Sequence, residues 1–351
     1  MYWLKYFFIT LIIVVDFLVF TNPVSTSDLD KSILLPVLKI AIVNSYDIDH
    51  VCGSPQTQGI IHGLSKLDSK YQLDIQVWYM KTDITFTTPD KIEYIAKKVI
   101  DDIKAFNPDH IFTVDDTAFK NVGIPFSKTH KVFFSGLNKP FNEYLVSEDM
   151  DGLQFCGIEE YLALDKIFKM ISKIEFYPYK FWILTDTNTT SFYLAQNYKK
   201  EIKKHSSFLS EIITISKTSE LRSTLSSLQK EKKGVIIYAF QTLANDDYNI
   251  VKTKKSLLPD LLKYNKKHLE LCENCYYSKK GISLVLSPDF YKMGSDVSAM
   301  FVSYIENNIF QSVILKSSNL FLINIKRLDD LAFKWVYNKI IEEVDGSYAI
   351  Y

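Results

Sequence analysis

Short apolar runs alternate with segments of helical period along most of this chain. The segment 38–45 (LKIAIVNS) is apolar almost throughout and then turns polar, which is typical of a strand buried on both faces. The dipeptide Ser54-Pro55 then predicts a helix start, with Ser54 as N-cap and Pro55 in the first turn. Further strands are predicted at 73–80, 110–114 and 131–135, and another helix is predicted to begin at Thr88-Pro89.

The alternation then restarts, which is its most informative property. Helices and strands are predicted in turn at 164–174, 181–185, 190–205, 212–215, 221–228 and 235–240. Near the end come a strand at 282–286, a helix capped by Ser287-Pro288 that runs to 306, a strand at 321–325 and a helix at 328–341. Two successive βαβα blocks predict an α/β protein with two Rossmann-like lobes, each a parallel sheet covered by helices.

The late elements are too few to form a third domain, so we expect them to complete the first two. On this interpretation the N-terminal lobe consists of 37–157 plus 281–323, and the C-terminal lobe of 158–280 plus 324–351. The chain therefore crosses between the lobes more than once.

The first residues have the order of a secretory signal. Lys5 precedes an apolar run at 6–20, and small residues follow at 25–27. The run is short for a membrane-spanning helix and contains Asp16. We therefore expect a signal peptide at 1–27 and an exported, periplasmic or extracytoplasmic protein, with an uncleaved membrane anchor or a packed N-terminal helix as alternatives.

Charge and composition exclude several classes of function. The chain has 351 residues, with 41 basic and 41 acidic side chains and a formal net charge of zero. Nucleic-acid binding needs a basic face that releases counterions from phosphates, so we expect no nucleic-acid partner. The 47% hydrophobic content is that of a packed protein. Its 11 glycines are few, so glycine-rich phosphate loops are hard to build.

Polar residues gather at the predicted carboxyl ends of the strands. In open parallel sheets these ends line a crevice in which small ligands bind, beside helix N-termini with unpaired N–H groups. The rule selects Asn44, Ser45, Tyr46, Asp47, Asp115, Asp116, Thr117, Ser135, Gly136, Asn138, Asp186, Thr187, Asn188, Gln241 and Thr242. Capping of helices is an alternative role for each of them, but as a set they predict a pocket.

Three segments at these positions are informative together: 113–120 (TVDDTAFK), 132–138 (VFFSGLN) and 157–160 (GIEE). Their order and spacing resemble the substrate-binding proteins of ABC transporters, which have the type-1 periplasmic binding protein fold. The segments 43–47 and 284–294 also look like this family, so the resemblance covers most of the chain after the signal. Thr117 and Ser135 depart from the family's Asn and Cys, and the identity of the ligand is therefore not transferable.

The resemblance implies two lobes that close on a ligand by bending at a multi-strand hinge, with crossings near Gly157, Lys280 and Ile323. The residues expected to bind the ligand are Ser45, Tyr46, Asp116, Thr117, Ser135 and Asn138 on one side, and Glu159, Thr187 and Gln241 on the other. The expected partners are a small-molecule ligand and the membrane permease of an ABC transporter, and we expect a monomer.

The chain's two arginines, Arg222 and Arg327, restrict the ligand further. Both are predicted to be surface residues, so no guanidinium is expected to hold a ligand carboxylate in the cleft. A ligand carboxylate would then depend on helix N-termini and hydroxyl groups. The pair Asp115-Asp116 instead favours an amine, a sugar hydroxyl or a nucleoside.

Cys272 and Cys275 form a lone CxxC, which is consistent with a disulfide, with other pairings or with free thiols. A zinc site needs four ligands, and the histidines lack metal-binding spacing, so we expect neither a metal nor a cofactor. No nucleophile elbow, Walker loop or dinucleotide loop occurs in the sequence, which predicts that the protein is not an enzyme.

Three functions from different classes fit these observations. The first is an exported solute-binding protein that delivers a small molecule to an ABC permease. The second is an extracytoplasmic sensory module of the same fold that signals to a membrane partner. The third is a GT-B-like glycosyltransferase, which would need a phosphate site that the segment 186–191 (DTNTTS) does not supply.

Overall fold

The structure is a computed structural model that describes residues 35–145, 152–173, 180–187, 189–205, 208–248, 250–274, 276–333 and 348–350. The predicted signal peptide at 1–27 lies outside the described residues. Within the described part of the chain, no helix combines the length and the apolar character that crossing a membrane requires.

The first sheet has six strands, all parallel, in the order β13-β5-β4-β3-β1-β2. The strands are β1 (Val37–Asn44), β2 (Gln72–Tyr79), β3 (His110–Val114), β4 (Val132–Leu137), β5 (Phe155–Glu159) and β13 (Ile314–Lys316). Successive residues of β1 are buried on opposite faces, Ile40 and Ile42 on one and Ala41 and Val43 on the other. This explains the continuous apolar run, because helices cover both faces of the sheet.

The second sheet has seven strands in the order β15-β14-β12-β11-β8-β6-β7. They are β6 (Lys180–Thr185), β7 (Leu209–Thr214), β8 (Val235–Tyr238), β11 (Leu269–Cys272), β12 (Leu284–Pro288), β14 (Asn319–Ile323) and β15 (Tyr348–Ile350). All neighbours are parallel except β12 and β14. A small antiparallel hairpin of β9 (Thr242–Ala244) and β10 (Val251–Thr253) extends from this lobe.

The described residues form the helices α1 (Gly53–Leu64), α2 (Pro89–Phe106), α3 (Asp116–Ala118), α4 (Ile124–Phe126), α5 (Leu164–Lys173), α6 (Thr189–Ile202), α7 (Thr218–Leu228), α8 (Lys254–Tyr264), α9 (Tyr276–Lys279), α10 (Phe290–Asn307) and α11 (Ile325–Asp330). Six predicted helices, α1, α2, α5, α6, α7 and α10, are present close to their predicted positions, whereas α3, α4, α8 and α9 were not predicted, and residues 334–341 of the predicted last helix lie outside the described residues. Two predicted caps were wrong. Ser54 lies inside α1, whose N-cap is Cys52, and Asp289 caps α10 through a hydrogen bond from Lys292 N.

Strand pairing divides the late elements differently from the expected 281–323 block. β12 and β14 belong to the second sheet, whereas α10 and β13 belong to the first lobe. The chain therefore crosses between the lobes at 160–163, at Asp289 and at 317–318. A fully buried apolar strand such as β12 fits either sheet by its pattern, and only its hydrogen-bonded neighbours decide which sheet it joins.

The three crossings are hydrogen-bonded to one another. Ser317 N donates to Glu159 O at 2.9 Å, and Tyr161 N donates to Ser317 Oγ at 2.9 Å. Asp289 N donates to Ser318 O at 3.0 Å, which joins the remaining crossing to the set. These bonds connect the two lobes through adjacent strands and form a hinge.

The scarce glycines have a packing role where α1 and α10 cross in the first lobe. A Cβ at Gly294 would lie 2.0 Å from the carbonyl oxygen of Gln56, and one at Gly59 would lie 2.2 Å from that of Tyr291. Both neighbours are backbone atoms, which cannot move aside as a side chain can. The helices can approach this closely only because both positions lack a side chain.

We predict that Gly294→Val destabilises the protein by more than about 2 kcal/mol, because the helices must separate to admit the side chain. Ala299→Val, at an exposed position of the same helix, should cost less than about 0.7 kcal/mol. Chemical denaturation of the two variants measures both changes. Equal losses of unfolding free energy in the two variants would contradict the packing argument.

Candidate functional site

Four acidic residues lie at or just after the carboxyl ends of strands in the two lobes. Asp115 and Asp116 follow β3, Glu160 follows β5 in the first crossing, and Glu273 follows β11 in the second lobe. Burial and the charges of Asp115, Asp116 and Glu273 raise the pKa of Glu160 well above its usual value. The four residues therefore lie within electrostatic reach of one another, although the chain places them up to 158 residues apart (273 minus 115).

Asp115 is the more deeply buried member of the acidic pair, with 5% of its surface exposed. Its backbone has a φ of 71°, an unfavourable region for a residue with a side chain. The conformation is held because Asp115 N donates to Ser135 O at 2.8 Å, while its Oδ1 accepts from Asp116 N at 2.7 Å. Tyr46 also makes a side-chain hydrogen bond to Asp115. Asp115 was selected by the strand-end rule but was not among the residues expected to bind the ligand.

Both carboxylate oxygens of Asp116 accept hydrogen bonds from other residues of the first lobe. Its Oδ1 accepts from Asn138 N at 3.0 Å and from Tyr144 Oη at 2.5 Å, and its Oδ2 accepts from Asn138 Nδ2 at 3.0 Å. These bonds fix the loop after β4 against the start of α3. Asp116 and Asn138, both expected in the site, are thus brought together, and Asp116 positions Asn138.

The two serines of the predicted set lie below the surface of the cleft. Ser45 Oγ donates to Val114 O at 2.9 Å and accepts from Ala118 N at 2.8 Å. Ser135 Oγ donates to Gln56 Oε1 at 2.6 Å. Both serines are fully buried, so in this structure they hold strand and helix ends in place.

Tyr46 and Thr117 lie closer to the solvent. The ring of Tyr46 stacks on that of His50, with centroids 3.8 Å apart and planes 22° apart. Burial lowers the pKa of His50 to about 4, so the ring is neutral at physiological pH. Thr117 and Asp116 both line a surface pocket of about 420 Å³ beside Tyr144 and the first turn of α2.

Adjacent glutamates at the first crossing have different roles. Glu159 Oε1 accepts from Phe141 N at 2.6 Å, and its carbonyl accepts from Ser317 N, so it joins the hinge to the first lobe. Glu160, its neighbour, lies within electrostatic reach of Asp115, Asp116 and Glu273. The sequence analysis selected Glu159 for ligand binding, and in this structure its carboxylate is bonded to Phe141 N. No sequence signal separates two adjacent glutamates at the end of a strand.

Gln241 lies in the second half of the cleft. Its amide donates to Glu273 Oε1 at 3.3 Å, and its backbone N donates to Asp186 Oδ2 at 2.7 Å. Asp186 also accepts from Thr242 N at 3.0 Å, so this buried carboxylate anchors the loop after β8. Thr187, another predicted ligand contact, is exposed on the adjacent loop.

Lys254 is a buried cation that the sequence analysis missed. Its Nζ forms an ion pair with Glu273, donates to Tyr238 O at 2.9 Å and lies over the rings of Phe240 and Tyr277. Only 1% of its surface is exposed. The chain has 39 lysines, and a lysine at the start of a helix is usually solvated. The sequence pattern therefore did not distinguish Lys254 from the others.

The possible disulfide between Cys272 and Cys275 stays a prediction, and in this structure Cys272 is a free thiol. Its Sγ lies 3.6 Å from Lys254 Nζ and 3.1 Å from Glu273 O, inside the second lobe. Burial raises the pKa of Cys272, which keeps the thiol protonated. Cys275 lies outside the described residues.

The lobes touch through Cys52 and Asn274. Asn274 Nδ2 donates to Cys52 Sγ at 3.0 Å, from the loop after β11 to the start of α1. Asn274 is nearly fully buried. This hydrogen bond links the two lobes directly.

One arginine was wrongly expected at the surface. Arg327 is buried and donates to both carboxylate oxygens of Glu270, at 3.0 and 2.6 Å, and to Asn265 O at 2.8 Å. Arg222 is partly exposed, as expected, and pairs with Asp260. Both guanidinium groups are thus bound to carboxylates of the second lobe outside the cleft.

No protein-family model and no curated protein sequence matches this chain. Solved structures do match it. The ABC domain in complex with L-Trp from Streptococcus pneumonia is 16% identical and matches 89% of this chain and 99% of its own, with a TM-score of 0.62. A solute binding protein of an ABC transporter from Bacillus halodurans C-125, with bound myo-inositol, is 10% identical over 86% and 98%, with a TM-score of 0.51. A LacI transcriptional regulator from Lactobacillus brevis is 10% identical over 80% and 99%, with a TM-score of 0.52.

This chain has the type-1 periplasmic binding protein fold. The predicted α/β class, with two Rossmann-like lobes of mostly parallel strands, is confirmed by the two sheets and by these neighbours. Since their identities to this chain do not exceed 16%, the likeness establishes the fold alone. In this fold the acidic cluster lies in the cleft between the lobes.

The pKa of Asp115 predicts how the stability of this periplasmic-binding-protein fold depends on pH. Burial, followed by the charge of Asp116, raises that pKa to about 8, against hydrogen bonds from Tyr46, Asp116 N and Asn138 that lower it. The folded state therefore holds this proton more tightly than the unfolded state. The resulting stabilisation is complete below about pH 4 and is lost as the pH rises through about 8.

We predict that the melting temperature of the ligand-free protein falls between pH 5 and pH 8, and that Asp115→Asn makes this fall shallower. One proton contributes at most about 1.4 kcal/mol per pH unit. Cys52 and Glu160 also lie within electrostatic reach of Asp115, so some dependence should remain. Asp68→Asn, at an exposed position, should keep the original slope. An unchanged slope in Asp115→Asn would contradict the assignment.

Proposed function

We propose that the protein is an exported solute-binding protein that captures a small molecule between its lobes and delivers it to an ABC permease. The observation that carries the proposal is the hydrogen-bonded hinge of three crossings beneath a cleft lined by polar side chains from both lobes. A ligand that contacts both lobes favours the closed state, because only closure lets both sets of side chains reach it.

The solved neighbours support this proposal. One of them is described as being in complex with L-Trp, another holds myo-inositol, and a third, from Conexibacter woesei, is described as a periplasmic ribose ABC transporter. These ligands differ in charge and shape, so they support ligand capture without naming the ligand of this chain. We further propose that the protein acts as a monomer without catalytic activity.

A sensory module of the same fold is the second candidate. LacI transcriptional regulators from Lactobacillus brevis and Bacteroides fragilis are among the neighbours, so this fold also occurs in regulators. An experiment in which the full chain is expressed and exported distinguishes transport from sensing. Cleavage near Ser27, measured by the mass of the exported protein, favours transport, whereas a retained first helix favours sensing.

We predict that a ligand closes the lobes, so that its binding decreases the radius of gyration and raises the melting temperature together. Thermal-shift assays measure the melting temperature with a panel of sugars, nucleosides, amines, amino acids and oligopeptides. Small-angle scattering then measures the radius of gyration with each compound that raises the melting temperature. Nucleotide sugars extend the panel, and their turnover would support a glycosyltransferase instead. If hits stabilise the protein without compaction, closure is contradicted.

Gln241→Ala should weaken the binding of any such hit about tenfold or more. The reason is that the Gln241 amide lies beside Glu273, and a buried hydrogen bond to a ligand contributes about 1.5 to 3 kcal/mol when a charge is involved. Ser223→Ala, on the exposed face of α7, is the matched control and should bind normally. Titration calorimetry measures both, and equal affinities would remove Gln241 from the site.

A further inference from the structure

One hydrogen bond joins the two lobes outside the hinge. Asn274 Nδ2, in the loop after β11, donates to Cys52 Sγ, at the start of α1, at 3.0 Å. Among the hydrogen bonds and ion pairs between described residues, it is the one that links the lobes apart from those of the three crossings. Because the two partners belong to different lobes, the bond breaks when the lobes rotate apart about the hinge.

Cys52 is held in place by its own lobe. It is the N-cap of α1, and its N–H and that of Gly53 both donate to His50 Nδ1, at 3.3 Å each. Burial lowers the pKa of His50 to about 4, so the neutral ring keeps the lone pair that accepts these bonds. Stacking on Tyr46 fixes the plane of the same ring. The thiol therefore has a set position before the second lobe meets it.

Asn274 is positioned by the second lobe in a similar way. Its Oδ1 accepts from Tyr276 N at 3.0 Å, and its carbonyl accepts from Tyr277 N at 3.1 Å, so it begins the turn into α9. Its φ of 89° lies in the left-handed region, which Asn tolerates better than most residues with a side chain. Since Oδ1 is bound within the second lobe, Nδ2 is the amide atom that reaches the first. Only 3% of the residue's surface is exposed.

The energetics of this bond favour the joined arrangement of the lobes. Two groups that are already positioned lose little conformational entropy when they meet. A thiol sulfur is a weak acceptor, so the bond should shift the equilibrium between joined and separated lobes by about two- to fivefold. Loss of the sulfur would also leave the Asn274 amide buried without a partner, which makes the joined arrangement unfavourable.

We propose that the hydrogen bond between Asn274 and Cys52 is a latch that favours the closed arrangement of the two lobes without help from a ligand. A ligand can then enter only while the latch is broken, and the latch forms again when the lobes close. The latch goes beyond the proposed function, because it concerns the open and closed states of the chain itself and does not depend on the class of ligand.

Small-angle scattering without added ligand tests the latch directly. Cys52→Ala removes the acceptor and should increase the radius of gyration, because the lobes are apart for more of the time. Cys52→Ser keeps an acceptor at the same position and should stay compact. Ser54→Ala is the matched control and should also stay compact, since Ser54 Oγ accepts from Gln58 Nε2 of the same helix.

Alkylation of the thiols by iodoacetamide is a second measurement. Asn274→Gly keeps the left-handed backbone and removes the donor, so Cys52 should react about two- to fivefold faster than in the unmodified protein. Cys272, a free thiol buried in the second lobe, is the internal reference and should keep its rate. Mass spectrometry of the two cysteine-containing peptides measures both rates.

Three outcomes would overturn the latch. Equal radii of gyration for Cys52→Ala and the unmodified protein would mean that the bond does not hold the lobes. Equal expansion of Cys52→Ala and Cys52→Ser would mean that the packing of the sulfur, and not its hydrogen bond, sets the equilibrium. Faster alkylation of Cys52 at an unchanged radius of gyration, or together with faster alkylation of Cys272, would mean that the substitution exposes the thiol locally or loosens the fold.

Discussion

Parallel pairing within each sheet is the constraint on which the rest of the molecule depends. Because all strands of the first sheet and five of the second run in one direction, the loops that leave their carboxyl ends emerge at one edge of each sheet. The hydrogen-bonded crossings around Ser317 hold the lobes so that these edges meet. Main-chain hydrogen bonds thereby bring Cys52 and Asn274, 222 residues apart, into contact.

Burying several carboxylates near one another is electrostatically unfavourable. The carboxylates at the strand ends are stabilised in two different ways. Asp116 and Asp186 accept hydrogen bonds from their own chain and use them to fix loops. Glu160 accepts no side-chain hydrogen bond from the described residues, and burial together with the neighbouring carboxylates raises its pKa, which favours its protonated form. The strained backbone at Asp115 belongs to the same arrangement, since it turns the chain so that β3 leads directly into α3.

Two buried cations show why the amino-acid composition does not predict where charged side chains lie. Lys254 and Arg327 were indistinguishable in sequence from solvated residues, yet both lie in the interior of the second lobe with a glutamate. Each of these ion pairs requires a partner from another strand or helix. A pattern of single residues carries no information about such a partner, because burial of a charge depends on two segments meeting.

The sequence by itself determined the alternation of strands and helices, the two-lobe α/β class and the polar residues at the carboxyl ends of the strands. These follow from local period and from the geometry common to parallel sheets. Only the tertiary structure decided that β12 joins the second sheet, that Arg327 is buried against Glu270 and that the Glu159 carboxylate bonds Phe141 N while Glu160 lies within electrostatic reach of the other carboxylates. Neighbouring residues of an extended chain point in opposite directions, and which of those directions is the cleft depends on segments distant in sequence.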